Sequence, residues 1–162
     1  MIKNQVKLRL VGLICLVLWS THASAADEKW LSPFDDELWH LYMRGGFSAF
    51  QQGDYIEAER RWTSALREAE TFGPGDPRIA ASLTNLAVSY SDQGRYAEAE
   101  PLYKRSLAIY EKALGSEHLG VVNGLENYAA LLRATNRRAE AKELETRAKA
   151  IRAKHARDNP VE

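Results

Sequence analysis

The chain is 162 residues long, 45% hydrophobic and 27% charged, the proportions of an ordinary folded protein. Its 22 basic and 22 acidic residues cancel, so no long-range field draws it to nucleic acid or to an anionic membrane. A single cysteine, Cys15, excludes an intrachain disulfide and a cysteine-based metal site.

The first stretch reads as an export signal. Lys3, Lys7 and Arg9 stand without any acid, Leu10–Trp19 is an apolar run of ten residues, and Ala23-Ser24-Ala25 is a small-x-small site. Ten residues fall short of the ~20 that a membrane-spanning helix needs. Cleavage is expected after Ala25, which removes Cys15 and three positive charges and leaves 19 basic against 22 acidic residues, a net of −3. A lipoprotein reading of Cys15 fails, because Ile14 precedes it and more apolar core follows. The mature protein is therefore expected to be exported, periplasmic or secreted, with no membrane attachment after cleavage. Residues 26–37 form a polar leader containing Trp30.

Ser32-Pro33 has the character of a helix start, followed by Asp35, Asp36 and Glu37, which suit the positive end of the helix dipole. This first helix is expected to reach about Gln52 and contains Gly45-Gly46, tolerable where another backbone comes close. Gly53 ends it, and Asp54 with Glu57 forms a capping pair for the second helix, whose stripe is Ala58, Trp62, Ala65, Ala69 and Phe72. Gly73-Pro74-Gly75-Asp76-Pro77 is a turn, with Asp76 capping a third helix that ends near Gln93. Its stripe is Ile79, Leu83, Leu86, Ala87 and Tyr90. The fourth helix follows Gly94 and carries Ala99, Leu102, Tyr103, Ser106, Ile109, Tyr110 and Ala113. Pro101 lies inside it and should bend it or weaken its first turns. The fifth, about 119–135, presents Val122, Leu125, Tyr128, Ala129 and Leu132; the sixth, about 137–157, presents Ala141, Leu144, Ala148 and Ile151. The sixth is heavily charged, as a solvent-facing cap should be, and residues 158–162 are expected to fray.

Three segments repeat one pattern: GDYIEAERRWTSAL from Gly53, GRYAEAEPLYKRSLAIYEKAL from Gly94, and NRRAEAKELETRA from Asn136. The spacings are 41 and 42 residues, and a fixed period in this range marks a helical repeat array. The expected fold is all-α, a right-handed α-solenoid of three helix-turn-helix units at about 38–77, 78–118 and 119–157.

The unit resembles the tetratricopeptide repeat. The middle copy carries the resemblance best, with Leu83, Leu86, Ala87 and Tyr90, then Gly94, Tyr96, Ala99, Tyr103 and Ser106. The first copy has Gly45 and Ala49 where Leu86 and Tyr90 stand; the third has Arg138 and Glu145 where Tyr96 and Tyr103 stand, which fits a terminal unit. The long period is similar to the variety found in kinesin light chains and in many bacterial exported proteins. That resemblance names a fold and not a motor.

Catalytic signatures are absent. His40, His118 and His155 have no helical zinc spacing, and the sequence has no phosphate loop or nucleophile motif. Neither enzyme activity, cofactor nor metal is expected. The resemblance implies a protein-binding module that holds a peptide or partner protein on the concave side, where the first helix of each pair lies. Arg44, Asn85 and Asn127 fall at one equivalent position on successive first helices. His40, Met43 and Phe47, then Thr84 and Val88, then Asn123, Glu126 and Arg133 lie on neighbouring turns. An asparagine amide both donates and accepts, so a ladder of them suits a peptide backbone. The alternative is a structural subunit that stacks on itself as a homo-oligomer, or an accessory factor of an envelope complex.

Overall fold

The computed structural model describes residues 37–158. The export signal, the leader, the Ser32-Pro33 helix start and residues 159–162 lie outside the described residues. Among the described residues the chain forms six helices and no strand: α1 Glu37–Gln51, α2 Tyr55–Thr71, α3 Pro77–Asp92, α4 Tyr96–Leu114, α5 Leu119–Ala134 and α6 Arg138–Asp158. Each packs mainly on its neighbours in chain order, the arrangement of an all-α solenoid built from three hairpins.

The three hairpins turn by one device. Gly53, Gly94 and Asn136 occupy equivalent positions with φ of 78°, 77° and 63°. The next residue then bonds back across the helix end: Asp54 N–H to Ala49 O at 3.0 Å, Arg95 N–H to Tyr90 O at 2.8 Å, Arg137 N–H to Leu132 O at 2.8 Å. A left-handed residue closing such a bond is what stops an α-helix sharply, and asparagine is the non-glycine residue that tolerates it best. Helix starts follow the side chains. Asp54 accepts from Glu57 N–H at 3.0 Å, Asp76 from Arg78 N–H at 2.8 Å, and the His118 ring from Gly120 N–H at 3.0 Å.

Two expectations change. Glu57 does not complete a reciprocal cap: the Asp54 N–H is already bonded to Ala49, and the Glu57 carboxylate accepts from Arg60 and Arg61 instead. Helix α4 also runs unbroken through Pro101, which is exposed together with Ala97, so water can satisfy the carbonyl that proline leaves without a donor.

Small residues set the helix spacing within each hairpin. Ala58, Ala99 and Ala141, equivalent in the three copies, are fully buried. In the first hairpin a Cβ built on Gly46 would come within 2.4 Å of the Trp62 Nε1, so the indole occupies the space that any side chain at 46 would need. Trp62 in turn donates to Met43 O.

The hairpins are joined by contacts that recur in register. Arg95 reaches back to Glu59 at 3.0 Å while holding Glu98 at 2.7 Å; Arg137 does the same with Glu100 and Glu140, both at 2.7 Å. Arg105 pairs with Glu70 at 3.0 Å and Arg147 with Glu111 at 2.6 Å. Beneath them the Tyr103 and Tyr128 rings stack at 6.1 Å, and the Tyr128 hydroxyl donates to Glu100 at 2.9 Å. The third copy places Lys142 and Glu145 where Glu100 and Tyr103 stand, and Glu145 is occupied by Arg133 of its own hairpin. The onward stacking contacts therefore end at α6.

Glu100 is the centre of this seam. Hydrogen bonds from Arg137, Lys104 and Tyr128 hold its carboxyl down at about 2, while burial and the Glu100 carboxylate push the Tyr128 hydroxyl up. A carboxyl depressed in the folded state contributes stability that is complete above its ordinary value near 4.5 and is lost as the pH falls toward 2. The melting temperature is expected to fall across that window, and Glu100→Gln should flatten this part of the profile. Parallel profiles for the two proteins would show that Glu100 does not anchor the seam.

Candidate functional site

The candidate surface is carried by the first helix of each hairpin, α1, α3 and α5. Its central row is Arg44, Asn85 and Asn127. Arg44 is exposed, whereas Asn85 and Asn127 keep only 5% and 3% of their surface. The Asn85 amide nitrogen donates to the Met43 sulfur at 3.9 Å, a weak contact that leaves most of its capacity uncommitted to strong partners. Met43 is buried between the first two hairpins and also receives the Ser82 hydroxyl at 3.8 Å, while Trp39 donates to that hydroxyl at 2.9 Å. Met43 is thus packing that supports Asn85.

The flanking residues divide into two groups. His40 lies edge-on to the Trp39 ring at 4.9 Å, Phe47 and Asn123 are half-buried, and Val88 is buried on α3. Thr84, Glu126 and Arg133 are engaged elsewhere. Thr84 bonds Ala80 O at 2.9 Å and the Ser106 hydroxyl of α4 at 2.7 Å, so it ties its own hairpin together. Glu126 takes a two-pronged bond from Arg152 of α6, and Arg133 makes one to Glu145 of α6. These three were expected beside the asparagines. Thr84 and Glu126 stand one residue from the asparagines, and one residue of rotation about an α-helix is about 100°, which turns them toward the second helix of the hairpin; Arg133, six residues beyond Asn127, also faces that helix.

The structure also brings in Arg78, Ala81 and Asp92, which the sequence reading passed over. Arg78, Ala81, Asn85, Val88 and Asp92 recur every three or four positions, so they share one side of α3, and all are buried. Arg78 is held by Asp76 through two bonds of 2.9 Å and lies 3.5 Å above the Phe72 ring. The amide of Asn85 therefore sits between a cationic residue seven positions before it and an acidic residue seven after, each about 10 Å away along the axis. The period of α3 was the signal: an arginine, an asparagine and an aspartate in phase on one side.

Among the described residues no group of three or more His, Cys, Asp or Glu could hold a metal ion. No described helix is long and apolar enough to cross a membrane.

A family model for the tetratricopeptide repeat matches residues 40–112 and again 78–154, overlapping through the middle hairpin. The two matches together span all three helical pairs, and in this family such pairs generally form surfaces for protein–protein interaction. With helices, turns and buried small residues recurring in the same register, the chain belongs to the tetratricopeptide repeat family.

Proposed function

We propose that this protein is a non-enzymatic interaction module of the cell envelope or the secreted fraction. It holds an extended peptide, or an extended segment of a partner protein, along α1, α3 and α5. The reading rests on Asn85 and Asn127 holding one position on successive first helices, with the exposed Arg44 at the equivalent place on α1. Amides set at the repeat spacing grip a backbone without demanding its sequence. Arg44 adds a charge-assisted contact to a carboxylate on the ligand, and Phe47 an apolar seat at the same end.

The export part rests on the Ala23-Ser24-Ala25 signal layout, and mass spectrometry of the exported protein is expected to find a first residue of Ala26 or Asp27. For the binding part, the native partner is first captured by crosslinking in the envelope. Asn85→Ala and Asn127→Ala are then expected to weaken its binding by about 1–3 kcal/mol each, with circular dichroism unchanged. Lys104→Ala, on the exposed side of α4, serves as the control and should bind normally. If both asparagine variants bind as tightly as the parent, recognition lies on the second helices.

A further inference from the structure

The second helix of the middle hairpin meets the third hairpin through one side. On α4 that side carries Glu100, Tyr103 and Leu107, with Tyr96 and Tyr110 in phase with them. The third hairpin covers it. Tyr128 of α5 stacks on Tyr103, its hydroxyl and the Arg137 guanidinium both donate to Glu100, and Leu107 lies 3.4 Å from where a Cβ on Gly124 of α5 would stand. The same positions on α6, 42 residues on, hold Arg138, Lys142, Glu145, Lys149 and Arg152. Two of these are engaged by α5, Glu145 by Arg133 and Arg152 by Glu126. Arg138, Lys142 and Lys149 are exposed and enter no ion pair among the described residues.

We infer that this side of α6 docks an acidic helix of a partner protein. The molecule supplies its own precedent for a helix as the cover, since α5 packs on the equivalent side of α4. The sign of the charge supplies the rest. Glu100 receives a cation on α4; Lys142 in its place reverses the polarity, so a complementary cover brings carboxylates. With Arg133–Glu145 and Arg152–Glu126 neutral, the face keeps a charge of +3 from Arg138, Lys142 and Lys149. The other acids of α6, Glu140, Glu143 and Asp158, lie about 100° or more around the axis from Lys142 and Lys149. The three cations are spaced four and seven residues apart, so they line up along about 17 Å of one helix. A partner helix with acids at the same intervals meets all three at once. The five positions include no aromatic or large aliphatic residue, so the face has nothing to insert into lipid and no platform for a stacked base. Exposed ion pairs are individually weak and screened by salt, which makes this a reversible, salt-sensitive contact. It stands independently of what the Asn85–Asn127 row binds.

The probes are two fluorescein-labelled, alanine-based helical peptides whose three glutamates are spaced like the cations, in parallel and in antiparallel order. Fluorescence anisotropy with the processed protein at about 20 mM salt is expected to show binding of at least one, weakened about tenfold at about 200 mM. Lys142→Glu combined with Lys149→Glu, both at exposed positions, should weaken that binding at least tenfold with the melting profile unchanged. Asn85→Ala should bind the peptide normally, which separates this contact from the amide row. No binding of either peptide up to about 500 μM overturns the inference. So does equal binding by the doubly reversed variant, or by a peptide with its glutamates scattered around the helix. Tighter binding of a single-stranded oligonucleotide or of phosphatidylglycerol vesicles to the same residues would assign the face to those polyanions instead and also overturn it. Carbodiimide coupling of Lys142 or Lys149, without peptide, to Asp35 or Asp36 of the same chain or to a second copy would overturn it too, because the face would already be covered.

Discussion

Gly46→Ala is expected to destabilise the protein by about 1–3 kcal/mol, although alanine is the better helix former by about 1 kcal/mol. The reason is geometric. The new methyl would lie 2.4 Å from the Trp62 Nε1 and 2.6 Å from its Cδ1, and the indole is packed against Phe50 and bonded to Met43 O. A ring held on several sides cannot give by the ångström required. Gly45→Ala is the matched comparison: its methyl meets only the flexible Arg61 stem at 3.4 Å, and it should be neutral or stabilising by up to about 1 kcal/mol. Urea denaturation of both variants separates the effects. A double-mutant cycle with Trp62→Phe should recover much of the loss at Gly46, because the offending atoms belong to the five-membered ring. A Gly46→Ala protein as stable as the parent would mean that α1 and α2 are farther apart than described.

Ala99→Leu should cost about 1–3 kcal/mol, whereas Ala97→Leu, two residues earlier on the same helix, should be nearly neutral. Ala99 has no exposed surface and, like Ala58 and Ala141, lies where the two helices of its hairpin meet; Ala97 is on the solvent side. Leucine at 99 must force the helices apart or leave its rotamer, and either strain also reaches the Glu100 seam one residue on. Equal melting temperatures for the two variants would place the repeat register one or two residues away from that described.

Much of this architecture was legible before any coordinates. Asp54 and Asp76 as caps, Gly53 and Gly94 as stops, and the stripes of α2 and α3 are local signals, each acting over a few residues of contiguous chain. The small residue at 58, 99 and 141 was visible because the repeat wrote it three times. The candidate surface was less legible. Thr84 is one position from Asn85 and shares its polarity, yet one faces α4 and the other does not. Glu126 and Arg133 looked free until α6 supplied Arg152 and Glu145.

What the sequence determined by itself is the periodic part: the number of helices, their ends, the repeat length and the apolar seam. Those follow from backbone sterics, caps and a 3.6-residue period, none of which needs a distant partner. The tertiary structure alone decided which polar residues are spent within the fold. That choice depends on residues tens of positions apart, such as Arg95 with Glu59, Arg137 with Glu100 and Trp39 with Ser82. It also left Leu38 and Leu41 of α1 half-exposed among the described residues and paired Glu145 of α6 with Arg133. Whether a leucine is core or surface is settled by what is stacked above it, and no helix of this chain is stacked above Leu41 among the described residues.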